Sequence, residues 1–438
     1  MTSRSEVAAL LRLATPLAIQ QVGQQLMGLV DAAMLGRWSD AALAGAGVGN
    51  NLYFGISCVG IGIVMGMDTI VPQALGAGRL DDARRTVGAG VRLAILVGLA
   101  ATLLCFASPL ALELAAVDPD VVGEARPYVY VRALGVVPLL ITVAMRSYLA
   151  AHGRTRPLVV AVLVGNVVNA LLDLVLIYGL GLGVIGAALA TTIVNLLTLA
   201  VYVAGVRAID AGAQRPRSTA ADLTMIARYG IPVGAQLFAE VGIFALATIL
   251  AARLGKIPAA AHSIALNVSS FTFSFALGVA SATSVRVGHA IGAGDLPLAR
   301  RRGLSGIALG LTAMACFAAL FIVAPAFLAA AFTDERAVIV ATVPLLQIAA
   351  LFQLSDGTQA IGAGALRGRG HTRATLWGNL LGHYVIGLPL MLALAFGADL
   401  GAPGLWWGLS VGLTATALYL LTQFLRSTTA PHRLPVTE

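Results

Sequence analysis

The sequence predicts an all-α integral membrane protein, with twelve transmembrane helices in two six-helix bundles related as parallel pseudo-twofold repeats. Three observations carry this reading: the composition, the run of apolar spans, and a repeat spaced by 216–218 residues. Of 438 residues, 58% are hydrophobic, and the 49 glycines bring the apolar share to about 69%, against roughly 45–50% in soluble domains. Only 11% are charged. A soluble fold of this size has nowhere to bury so much apolar surface. Disorder, a collagen-like repeat and a small disulfide scaffold are excluded by the same composition. The apolar runs are long and uninterrupted, which favours spanning helices over short alternating barrel strands.

Twelve spans follow in order, at about 10–36, 44–75, 86–112, 125–151, 157–179, 183–206, 223–254, 258–290, 302–330, 338–366, 373–396 and 402–425. The first is broken by Gln20, Gln21, Gln24 and Gln25 yet runs full length, so it reads as a span rather than a signal peptide. The longest break, 207–222, carries Arg207, Asp210, Arg215, Arg217 and Asp222. It divides the chain into an N-terminal six-helix lobe (1–206), a cytoplasmic linker (207–222) and a C-terminal six-helix lobe (223–438). When the termini and the even-numbered loops share one side, that side holds 22 of the 28 basic residues. The positive-inside rule then places both termini in the cytoplasm. The net charge of +8 is accounted for by these loop arginines, so no nucleic-acid partner is expected.

The halves repeat. Gly76 to Arg85 (GAGRLDDARR) resembles Gly292 to Arg301 (GAGDLPLARR) at an offset of 216, and Pro16 pairs with Pro232 at the same offset. Gly153 to Arg156 matches Gly370 to Arg373 at 217, and Gly183 to Gly186 matches Gly401 to Gly404 at 218. An even number of spans per half makes the repeats parallel, about an axis along the membrane normal. Such repeats favour a central cavity between two rocking bundles, and so a transporter.

Five carboxylates fall inside the spans: Asp31, Asp68, Asp173, Glu240 and Asp356. Each costs at least about 2.5 kcal/mol at a helix centre, so each is a functional candidate or a buried hydrogen-bonding group. Gln20, Gln24 and Asp31 fall within about 40° of one another on a helical wheel, a polar stripe facing away from lipid. Asn166, Asn169 and Asp173 share a face, as do Gln236 and Glu240. So do Asn267, Ser270, Ser274 and Ser281, while Gln353, Asp356 and Gln359 step by three. Asp31, Glu240 and Asp356 lead as cation or substrate ligands. Asp173 follows, and Asp68 could instead brace helix packing. A buried carboxylate can exchange a proton, and with nearby amide and hydroxyl oxygens it can hold sodium. A cationic substrate would compete with either ion.

Arg92, Arg132, Arg146 and Arg286 are expected near helix ends, where they can snorkel, leaving the deep cavity acidic. His383 is either a helix–helix hydrogen-bonding partner or a proton relay. Cys58, Cys105 and Cys316 have no metal or redox spacing and read as packing residues. The glycine-rich stretches 45–49 and 362–364 lack a P-loop lysine and read as close helix contacts. Trp377, Trp406 and Trp407 mark interfaces or packing.

These residues resemble the multidrug and toxic compound extrusion (MATE) family over essentially the whole chain. The carrying motifs are Pro16 through Asp31 to Gly36, Val71 to Gly78 (VPQALGAG), Ala260 to Ser270, Arg286 to Gly294 and Asp356 to Gly368 (DGTQAIGAGALRG). Glu240 and Asp356 are similar to the C-lobe acids of the NorM-type branch. Asp31, Asn169 and Asp173 look like the N-lobe cation site of the DinF-type branch. The resemblance implies a V-shaped fold of two six-helix bundles, and antiport of cationic, amphiphilic organic compounds against H+ or Na+. It implies sodium or proton ligation at Asp31, Asn169 and Asp173 or at Glu240 and Asp356; Gln24, Gln353 and Asn267, on the polar faces read above, join them as candidate cation- or substrate-binding residues. Phe352 stands where many NorM-type members carry a tyrosine, removing one oxygen from the C-lobe set. Asp68 is more like the eukaryotic members.

The expected protein is therefore a multidrug efflux antiporter of a bacterial inner membrane, a monomer contacting membrane lipid, with no cofactor beyond the coupling ion. A related flippase of lipid-linked saccharides should show basic residues deep in the cavity. An integral-membrane enzyme should show a nucleophile or metal cluster such as HExxH or GxSxG. The sequence shows none of these.

Overall fold

The computed structural model describes residues 3–114, 117–214 and 216–429. Among them there is no strand, and every expected span is helical. In chain order these are α1 (Ser3–Trp38), α2 (Asp40–Gly76), α3 (Leu80–Leu114) and α4, bent by 48° between Pro119–Ala133 and Val136–Ala151. They continue with α5 (Arg156–Gly179), α6 (Gly183–Ile209), α7 (Ala220–Arg253) and α8 (Lys256–Gly292). The last are α9 (Leu296–Val323), α10 (Arg336–Arg369), α11 (Thr372–Gly397) and α12 (Ala402–Ser427). Ten of these are long and apolar enough to cross a membrane, and the bent α4 is an eleventh. Helix α1 has the length, but its glutamines dilute its hydropathy. Arg215 lies outside the described residues.

Starts and breaks follow local chemistry. Ser39 caps α2 by accepting from the Ala42 N–H at 3.1 Å, Asp295 caps α9 through Leu298 at 2.8 Å, and Asp118 caps α4 through Asp120 at 2.9 Å. Gly78, Gly153, Gly294 and Gly370 take positive φ in the turns of the repeated GAG and G-x-T-R segments. Both members of the span 5 and span 11 repeat pair carry π-helical turns, Leu174–Gly179 in α5 and Leu380–Gly387 in α11.

Packing groups the chain into two units. The C-unit comprises Met1–Ala18, Pro72–Gly78 and Ala239–Glu438; the N-unit comprises Ile19–Val71 and Arg79–Phe238. Helix α1 leaves the C-unit just after Pro16, and α7 leaves the N-unit a little beyond Pro232. Small residues let helices approach closely, as expected where lipid removes the hydrophobic drive. A Cβ on Gly45 would fall 2.4 Å from the Glu124 Cβ, and one on Gly364 would fall 2.4 Å from the Ala280 carbonyl oxygen. Both glycine-rich stretches are thus the close contacts expected of them. The core of the N-unit includes Leu35, Tyr128, Ile177 and Val184; that of the C-unit includes Phe321, Phe352, Met391 and Trp406. Large apolar side chains such as Leu103, Leu114 and Val323 are exposed, as lipid-facing surface requires.

Candidate cation-binding sites

In the N-unit, α1, α5 and α6 bring Asp31, Asn169 and Asp173 together. Asn169 and Asp173 are completely buried, and Asp31 is 9% exposed. Thr191 of α6 donates its hydroxyl to Asp31 Oδ2 at 2.8 Å. Asp31 and Asp173 are close enough for their charges to interact. Asp31 Oδ1, both Asp173 oxygens and both Asn169 amide atoms receive or give no other hydrogen bond among the described residues. Fully buried polar atoms without partners are rare in folded proteins and mark a place for a water or an ion. The neighbouring Asn166 holds α5 to α1 by donating to the Gly23 carbonyl at 3.0 Å. Gln20 is buried, whereas Gln24 is exposed.

In the C-unit, α10 buries Gln353, Asp356 and Gln359 on one face, as the step of three requires. Gln353 donates to Thr272 Oγ1 of α8 at 2.6 Å and to the Ser269 carbonyl at 3.1 Å, fixing α10 on α8. Glu240 of α7 is partly exposed and close enough for its charge to act on Asp356. Tyr384 of α11 donates to the Ala239 carbonyl at 2.7 Å, docking α11 beside Glu240. Phe352 is buried edge-on between Phe244 and Trp406, with ring centroids 6.1 and 5.5 Å away. An aromatic stack therefore fills the position where a hydroxyl could have stood. Asn267 is exposed and donates to the Ser263 carbonyl of its own helix at 2.9 Å, which leaves its carbonyl oxygen for a ligand.

The arginines correct the sequence expectation. Arg132 is not at a snorkelling end: it is 9% exposed, its guanidinium carbon lies 4.3 Å from the Tyr53 ring centroid, and Asp31 is within its electrostatic range. The 48° bend in α4 falls immediately after Arg132 and Ala133. Arg146 likewise faces Asp68, 3.8 Å away, and Ser147 donates to Asp68 at 2.5 Å. Asp68 is thus a bracing residue of the N-unit. Arg286 pairs with Glu6, and only Arg92 points outward, to the Ser218 carbonyl. Cys316 is exposed rather than packed, while Cys58 and Cys105 are buried. Trp377 and Trp407 are exposed and Trp406 is buried. His383 is completely buried beside Phe244, and neither ring nitrogen is hydrogen-bonded among the described residues.

Thr191, Thr272 and Arg132 are the residues that sequence reasoning missed. The threonines have polar neighbours at helical spacing, Asn195 for Thr191 and Ser269 for Thr272, but nothing in the sequence joins them to a carboxylate or amide on another helix, so only the packing of α6 and α8 reveals their partners. Arg132 looked like a loop-side arginine because it stands near the end of its span, although Gly135 and Pro138 just beyond it are a sequence signal for the bend that follows.

The MatE family model matches the chain twice, over residues 16–175 and 232–392. The chain belongs to the MatE family. The two matched segments begin 216 residues apart, the offset of the internal repeat. Relatives named "probable multidrug resistance protein NorM" include those of Pseudomonas putida (35% identical, covering 96% of this chain and 94% of the relative) and Deinococcus radiodurans (36%, covering 98% and 97%). Among solved structures, the eukaryotic MATE transporter AtDTX14 superposes with a TM-score of 0.90 at 21% identity, covering 98% of each chain. A multidrug resistance MATE family transporter of the MOP superfamily superposes with a TM-score of 0.91 at 20% identity, covering 98% of this chain and 97% of that one. These likenesses establish the MATE fold. The family is one of transporters, not enzymes.

Proposed function

We propose that this MatE protein is a multidrug efflux antiporter of a bacterial inner membrane, working as a monomer with both termini in the cytoplasm. It exports amphiphilic organic cations and takes protons in exchange. The observation that carries this reading is the pair of acidic sites, buried Asp31 with Asp173 and partly exposed Glu240 with buried Asp356, each inside one packed unit of apolar helices. The names of the relatives support multidrug export, and the loop arginines support the orientation.

A proton suits the N-unit site better than sodium. Two carboxyl groups in contact can share one proton within a single hydrogen bond. The oxygens of Asp31, Asp173, Asn169 and Thr191 could also surround sodium, but the positive charge of Arg132 acts on Asp31 and disfavours a second fixed cation there. That buried arginine is the one feature a lipid-linked saccharide flippase would also use. Here its charge is directed at Tyr53 and Asp31 within the N-unit. Transport of a fluorescent organic cation into liposomes under an imposed pH gradient, without sodium, tests the proposal. Uptake against the dye gradient supports it; uptake only with a sodium gradient replaces the proton by sodium; no dye movement under either gradient refutes efflux.

A further inference from the structure

Arg132 is a buried positive charge in the N-unit with no carboxylate in contact among the described residues. Its Nε and Nη1 are fully buried and have no hydrogen-bonding partner there. Asp31 acts on it through charge, without forming an ion pair. A guanidinium keeps its proton in a protein, and a buried charge left without a counter-ion is strongly destabilising. The Tyr53 ring, whose centroid lies 4.3 Å from the guanidinium carbon, attracts the cation but brings no net negative charge.

Helices α2 and α4 build the surroundings turn by turn. A Cβ on Gly45 would fall 2.4 Å from the Glu124 Cβ, and one on Gly49 would fall 2.9 Å from the Tyr128 Cδ1. Steps of four continue this register to Tyr53 and Arg132, where ring and guanidinium meet. The next turn of α2 brings Ser57 to the level of the bend in α4. Beyond the bend, a Cβ on Gly60 would lie 2.8 Å from the Leu140 Cδ1, so the two helices stay packed on both sides of it. Tyr53 is 2% exposed and Ser57 is completely buried. Their hydroxyls are neighbours on one face of α2, and neither Tyr53 Oη nor Ser57 Oγ is hydrogen-bonded among the described residues. Buried Thr142, Thr283 and Thr342, by contrast, return their hydroxyls to the carbonyl four residues back, at 2.9, 2.7 and 2.8 Å. The second segment of α4 opens at Val136 without a side-chain cap, so its positive end adds to the same region.

What these groups lack is an acceptor. A guanidinium only donates, and each hydroxyl has a proton to give. A water molecule would bring two further protons and no charge. A halide accepts from several donors at once, brings no proton and supplies the missing negative charge. A divalent oxyanion would exceed the charge that one arginine balances. We propose that Arg132, Tyr53 and Ser57 form a buried site for a single halide, chloride under ordinary conditions, at the α4 bend inside the N-unit. The site stands apart from the carboxylates of the cation sites, and the proposal does not depend on the antiporter reading.

The test uses the full purified chain in detergent micelles, exchanged into chloride-free gluconate buffer. Radioactive chloride is the probe, and binding is read by equilibrium dialysis. The unaltered protein should bind a single chloride saturably; bromide should displace it and sulfate should not. Tyr53→Phe with Ser57→Ala keeps the packing and the charge but removes both hydroxyl donors. Affinity in that double variant should fall about tenfold, because hydrogen bonds to a charged group are the stronger ones. Arg132→Gln should abolish binding in protein whose elution and circular dichroism show it to be folded. Absence of saturable binding by the unaltered protein, unchanged affinity in the double variant, retained affinity in folded Arg132→Gln, or equal displacement by sulfate would each overturn the proposal. Dialysis reads no transport. Failure of dye efflux with intact chloride binding would therefore refute the antiporter reading and leave the halide site standing.

Discussion

The acidic site of the N-unit and that of the C-unit come from the same repeat, yet they are furnished differently. In the N-unit two aspartates are close enough for their charges to interact, an asparagine beside them has no hydrogen-bonding partner among the described residues, and an arginine stands in electrostatic range. In the C-unit Glu240 and Asp356 come from α7 and α10, and an aromatic stack around Phe352 replaces further oxygens. The repeat offset makes Glu240 the counterpart of Gln24, and on α11 it makes His383 the counterpart of Asn166. Duplication supplied the helices, and the polar residues diverged on top of them. The lesson is that fold symmetry here does not imply site symmetry. Each unit can hold a cation, by different chemistry.

Substitutions break or sharpen this comparison. Asp356→Asn and Asp31→Asn should each reduce pH-driven dye efflux more than about tenfold while the protein still inserts, as read by transport and by membrane yield. Full activity for one of them would mean that its unit is dispensable. Asp173→Asn should weaken efflux less than Asp31→Asn. An asparagine at 173 can still donate to Asp31, which keeps its Thr191 bond and its small exposure. The reverse order in the same assay would make Asp173 the leading group. Asp68→Asn should lower stability by about 1–3 kcal/mol, since it weakens a buried contact with Ser147 and Arg146, and leave turnover per folded molecule nearly unchanged. A large loss of turnover with an unchanged melting temperature would put Asp68 in the transport path. Phe352→Tyr should have the smallest effect on ion preference. Its hydroxyl would enter a packed aromatic stack, and sodium dependence appearing in that variant would show that the C-unit site lacks only one oxygen.

Much of this was legible in the sequence. The twelve helices, the repeat and the faces carrying Gln353, Asp356 and Gln359 follow from span length and helical period, because lipid allows the backbone few alternatives. Asp31, Asn169 and Asp173 were recognisable separately, but their convergence depends on how α1, α5 and α6 pack. Thr191 and Thr272 share faces with Asn195 and Ser269, but their partners Asp31 and Gln353 lie on other helices and only packing brings them together. Arg132 and Arg146 misled for a physical reason: near the end of a predicted span, an arginine that snorkels and one that turns inward look identical until a bend or a partner such as Asp68 is seen. Phe352 was expected from the resemblance to be a departure, and only the structure shows that aromatic packing surrounds it.

The most direct test of the central claim is dye transport by the purified protein in sodium-free liposomes, with a pH gradient as the only driving force. Accumulation of a fluorescent organic cation against its gradient, lost in both Asp31→Asn and Asp356→Asn, is the predicted result. Accumulation that requires sodium, or that survives in both variants, would contradict proton exchange at these carboxylates.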